Sequence, residues 1–128
     1  MKLAEFLAQV RDRGEYHSRE EAEHISTSVL RVLATEITPQ EADDLAARLP
    51  APLDDALHTH PDRPEDLGRE EFLRRVAERT GARPRTAEWD AGAVLSTVAD
   101  AVPGADVDHL LSRLPAGYAE LFGRPGPP

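Results

Sequence analysis

The chain contains no cysteine, which excludes disulfide staples, thiolate metal sites and a cysteine nucleophile. Aromatic residues make up 5% of the 128 residues, with a single tryptophan, so there is no row of rings on which nucleobases stack. No apolar run approaches the ~20 residues that a membrane-spanning helix needs. Strand-like alternation and β-branched runs are missing as well, leaving helix as the regular structure the pattern supports. Positive charge is in deficit: 24 acidic residues face 15 basic ones, for a net charge of −9. Such a field repels phosphate backbones and anionic bilayers, so neither nucleic acid nor membrane is an expected partner. Met1-Lys2 leads into the amphipathic Leu3-Ala4-Glu5-Phe6-Leu7 without an apolar leader, and a cytoplasmic location is expected.

What is present is one pattern written twice. Glu5-Phe6-Leu7-Ala8-Gln9-Val10-Arg11-Asp12-Arg13 aligns with Glu71-Phe72-Leu73-Arg74-Arg75-Val76-Ala77-Glu78-Arg79 at an offset of 66. After one extra residue near Thr80-Gly81 the offset becomes 65. Val29-Leu30 then matches Val94-Leu95, Leu45 matches Leu110, and Arg48-Leu49-Pro50-Ala51 matches Arg113-Leu114-Pro115-Ala116. The expected fold is all-α, two tandem pseudo-repeats of about four helices each packed into one compact helical domain. Residues 1–58 form the first unit, 59–68 the connecting loop, 69–122 the second unit and 123–128 a flexible tail.

Within the first unit, Leu3, Phe6, Leu7 and Val10 share a helix face, and Gly14 fits the stop. Ser18 with Glu21 reads as a capping box ahead of a long helix whose stripe is Ala22, Ser26, Val29, Leu30, Leu33 and Ile37. Thr38-Pro39-Gln40-Glu41 reads as a second box, with Pro39 in the first helical position where its missing amide costs nothing. Ala42, Leu45, Ala46 and Leu49 continue that helix, and a short fourth piece surrounds Leu53 to Leu57. The second unit repeats the stripes without the caps. Arg83 and Pro103 stand where Ser18 and Thr38 do, and Thr86 offers an alternative cap for a later start.

The segment Glu70-Glu71-Phe72-Leu73-Arg74-Arg75-Val76-Ala77-Glu78-Arg79-Thr80-Gly81, the Thr38-Pro39-Gln40-Glu41-Ala42 start and the two Arg-Leu-Pro endings at Arg48 and Arg113 carry a resemblance. The chain resembles the domain of unknown function 2267 family, a bacterial family common in actinobacteria, over nearly its whole length. The resemblance implies a compact helical protein and transfers no catalytic or binding residue, because the family has no assigned activity.

Three features are candidates for function. His58 and His60, near Asp54, Asp55 and Asp62, supply the residue types of a divalent-metal site; the competing reading is a polar loop. Arg74, Arg75, Arg79, Arg83 and Arg85 form the one basic cluster. Residues 1–58 carry 6 basic and 12 acidic groups, whereas residues 69–124 carry 8 and 9. Glu70–Arg74 and Glu71–Arg75 are helix pairs at i,i+4, and Arg79 complements a helix C-terminus, which leaves Arg83 and Arg85 without a local partner. Trp89 lies opposite the stripe of its helix, where it either packs against the other unit or marks an interaction surface, and Gly92 beside it would permit a close helix crossing.

No nucleophile elbow or glycine-rich phosphate loop is present, so an enzyme is not expected. Nor is a cofactor. The favoured reading is a non-enzymatic protein-interaction or scaffold module using Arg83, Arg85 and Trp89 toward a protein partner or a second copy. The alternative is a ligand- or metal-binding protein using the His58–His60 loop.

Overall fold

Apolar positions recurring at helical spacing become helices in the order in which they are written. The computed structural model describes residues 1–58, 61 and 63–124. Helices α1 (Leu3–Gly14), α2 (Arg19–Ala34) and α3 (Pro39–Ala46) are followed by a short 3₁₀ helix (Leu53–His58). Helices α4 (Arg69–Thr80), α5 (Pro84–Ala101), α6 (Gly104–Arg113) and α7 (Tyr118–Leu121) complete the chain. The described residues contain no strand, and none of their helices is long and apolar enough to cross a membrane.

Helices α2 and α5 form the centre. Helix α1 packs on both of them, and so does α4. The 3₁₀ helix lies against α2 and α3, while α6 and α7 lie against α5. The buried side chains join into a single cluster that includes Phe6, Leu30, Leu45, Leu57, Phe72, Leu95, Val107 and Phe122. The two halves thus share one core. This placement explains why α2 buries more than the expected stripe: Ile25, Val32 and Ala34 are buried too, because the helix has neighbours on several sides. Fully burying one such aliphatic or aromatic side chain stabilises the fold by about 1.5–3 kcal/mol.

The caps follow the sequence with three departures. Thr38 Oγ1 accepts from the Glu41 amide (3.1 Å) while Glu41 Oε1 accepts from the Thr38 amide (2.8 Å), a complete box. At α2 the Ser18 side chain accepts from the Glu21 amide, but the Glu21 carboxylate turns to the His17 amide (3.1 Å), so this box is not reciprocal. Helices α5 and α6 start at Pro84 and Gly104 with no side-chain cap, so Thr86 does not define a later start. Gly14 is not the left-handed stop of α1 either. Glu15 takes that conformation (φ 56°), and Gly14 is required because the Tyr16 ring folds back to 2.1 Å from where its Cβ would stand.

Candidate functional site

The start of α5 places the three residues singled out by the sequence. Arg83 is the residue before the helix and Arg85 lies in its first turn; both are exposed, and neither has an ion-pair partner among the described residues. Trp89, one turn beyond Arg85, is 52% exposed, against 39% for Met1, the other exposed large apolar residue. Trp89 packs against the first half, its Nε1 donating to the Gly14 carbonyl at the end of α1 (3.0 Å), while half of the ring stays open to solvent.

That open half forms one wall of a groove of about 590 Å³ running past Arg13, Arg85, Gly92 and Ala93. Gly92 does not mediate a close helix crossing, since a Cβ there would meet nothing within 4 Å; the missing side chain instead widens the groove. The other charges of the groove are already paired. Arg13 donates to Asp100 (2.5 Å) and Thr97 (2.9 Å), and Glu88 accepts from Arg69 (2.7 Å). The uncompensated charge there is positive, on a chain whose net charge is −9.

Two other arginines of the cluster, Arg74 and Arg75, are engaged, while Arg79 lies in the last turn of α4. Arg74 does not pair with Glu70: it bonds to Glu71 and Glu78, since i,i+3 and i,i+4 carboxylates both lie within reach on a helix. Arg75 bonds to Glu65 and, at 3.4 Å, to Glu71. The Arg74 guanidinium, with Arg75 beside it, holds the Glu71 carboxyl down at about 2.

His58 is exposed at the end of the 3₁₀ helix, its Nδ1 3.9 Å from Asp43 Oδ1. His60 lies outside the described residues, as do 125–128 of the tail. Among the described residues no group of three or more His, Asp or Glu side chains is placed to hold a metal.

Sequence reasoning missed a second region, where the two halves meet through polar groups. The Arg113 guanidinium reaches Glu41 (Nε to Oε2, 3.0 Å) and the Glu36 carbonyl (3.1 Å). His109 Nε2 stands 3.2 Å from the same Glu41 oxygen. Burial raises the Glu41 carboxyl, but Arg113 and the Thr38 amide more than offset it, leaving the group below the usual range. Beside this pair lies a cleft of about 240 Å³ between α3 and α6, walled by Leu45 and Leu110 and rimmed by Asp44 and Asp106. Its residues fall into aligned pairs at the 65-residue offset: Glu41 with Asp106, Asp44 with His109, Leu45 with Leu110.

Two tyrosine–carboxylate bonds complete the seam. Tyr16 donates to Asp90 (2.6 Å), and Tyr118 contacts Glu36 (2.5 Å). Asp90 and Glu36 are 2% and 1% exposed, and burial raises both carboxyls, Glu36 to about 8. A signal for Glu36 was in the sequence: it follows Val29 by seven residues, two helical turns, which puts an acid beside the apolar stripe.

No curated protein matches the chain. The model of one family does, that of the uncharacterized conserved protein DUF2267, over residues 4–121. A match across nearly the whole chain decides membership, and the protein belongs to the DUF2267 family.

Proposed function

We propose that this protein is a non-catalytic interaction module built from two pseudo-equivalent helical units, and that it docks an acidic segment of a protein partner at the Trp89 groove. The observation that carries this reading is the half-exposed Trp89 ring standing beside Arg83 and Arg85, two cations with no ion pair among the described residues. A partner offering carboxylates flanking an apolar side chain matches both the charge and the open apolar wall. The duplicated origin is supported by the alignment at offsets of 66 and 65 and by the reciprocal packing, in which α1 meets α5 as α4 meets α2.

Trp89 is the one tryptophan, so its fluorescence reports on the groove directly. The probe is a panel of synthetic peptides, each with glutamates flanking a single leucine or phenylalanine, titrated into the wild type, Arg85→Glu and Gly92→Leu. Gly92→Leu fills the groove from an open position and leaves the core intact. The expected result is a saturable emission change in the wild type that weakens with salt and is lost in both variants, with helix content unchanged. No response from any peptide, or an equal response in Gly92→Leu, would sink the reading. Sedimentation in parallel identifies a second copy as the occupant if Gly92→Leu turns a dimer into a monomer, and that outcome also overturns the acidic-partner proposal.

A further inference from the structure

Tyr118 Oη is close to two acceptors at once, Glu36 Oε1 at 2.5 Å and the Leu67 carbonyl at 2.9 Å. A phenol has a single hydrogen and can donate to only one of them. If it donates to an ionised Glu36, the hydroxyl oxygen and the Leu67 carbonyl oxygen face each other with lone pairs and no hydrogen between them. If Glu36 carries a proton, every contact is a hydrogen bond: Glu36 donates to Tyr118 Oη, and Tyr118 donates to Leu67. The other Glu36 oxygen, Oε2, is buried with no partner, which a neutral acid tolerates far better than a carboxylate.

The surroundings agree. The cations facing Glu36 are Arg75 from α4 and Arg113 from α6, and each is already paired with other acids: Arg75 with Glu65 and Glu71, Arg113 with Glu41. Glu65 and Asp66 of the connecting segment add negative charge around the Glu36–Tyr118 pair. That segment is also held by its backbone, the Glu65 amide donating to the Thr35 carbonyl (2.7 Å).

We infer that Glu36 is a neutral acid in the folded protein, and that its proton latches α7 and the connecting segment onto the end of α2. Loss of the proton to solvent returns the Tyr118 hydrogen to Glu36, leaves the Leu67 carbonyl unsatisfied and releases both segments together. Burial, partly offset by Tyr118, places the Glu36 carboxyl at about 8 against its ordinary 4.5. Between those values the folded chain holds a proton that the unfolded chain has released. The contribution of this group to stability is therefore largest below the lower value, falls as pH rises through the window, and levels off above it.

The wild-type protein with labelled glutamate carboxyls gives the primary test by carbon NMR, with Glu36→Gln used to assign the Glu36 signal. The expected Glu36 midpoint lies several pH units above those of the exposed glutamates, and a midpoint among theirs would overturn the inference. Amide exchange is the second readout. After correction for intrinsic rates, the amides of Glu65, bonded to the Thr35 carbonyl, and Phe122, bonded to the Tyr118 carbonyl, should exchange roughly tenfold faster at about pH 9 than at about pH 6 in the wild type, and at a constant rate in Glu36→Gln. A wild-type rate that does not change with pH, or an equal rise in Glu36→Gln, shows that Glu36 latches nothing. If Glu36→Gln does not fold, Tyr118→Phe takes its place: it removes the hydroxyl, and protection at the Glu65 amide should already be lost at the lower pH.

Discussion

Arg48 and Arg113 occupy matching places in the two Arg-Leu-Pro endings, yet among the described residues only Arg113 reaches a buried acid across the seam. The acids explain the difference. Glu41 is 6% exposed and is held in place by the Thr38 box before Arg113 arrives. Its aligned counterpart Asp106 is one methylene shorter, and Pro103 stands where the capping threonine would be. With no held carboxylate opposite it, Arg48 stays exposed. Thus a repeated motif forms its ion pair only where the partner is pre-positioned. The polar side of residues 69–122 therefore differs from that of 1–58 even though the apolar stripes match.

The largest effects should come from the matching stripes. Phe6→Ala and Phe72→Ala each empty a fully buried site and should cost about 3–5 kcal/mol in urea denaturation. Phe72→Ala should cost about 0.5–1.5 kcal/mol more, because the Phe72 ring also stacks at an angle on Tyr118, centroids 5.3 Å apart. Equal losses would mean that this ring pair adds nothing beyond burial.

Next comes the seam. Arg113→Ala leaves Glu41 buried without its main cation and should lower stability by about 2 kcal/mol, a figure reduced for the partial exposure of Arg113. Arg48→Ala should stay within about 0.5 kcal/mol of the wild type. Equal costs would erase the asymmetry between the two endings. The smallest pair concerns the caps. Thr38→Ala should cost about 1 kcal/mol, while Arg83→Ser, which gives α5 the cap residue that α2 has, should gain about 0.5 kcal/mol by thermal melt.

The helices were legible because each carries its own period and most carry their own boundary residues. Thr38, Pro39 and Glu41 act within four consecutive residues, and the Thr38 box forms as written. The failures were of reach. Glu70 and Glu71 are equally plausible partners for Arg74 by spacing, and rotamer choice decides between them. Gly92 was assigned a close crossing that belongs in kind to Gly14, where the crowding comes from the Tyr16 ring just past the helix end rather than from another backbone. At the candidate groove, the sequence singled out Arg83, Arg85 and Trp89. The hydrogen bond from Trp89 to Gly14 crosses 75 positions and has no local signature.

The sequence by itself determined the helical class, the order and approximate bounds of the helices, the buried stripes and the Thr38 cap, all of which depend on residues a few positions apart. Only the tertiary structure decided that both halves share one core, that Arg113 pairs with Glu41, and that Tyr118 joins Glu36 to Leu67. Those contacts bring together groups 51 to 82 positions apart. Periodicity carries no information at that range, and burial in the common core sets which polar groups must find each other there.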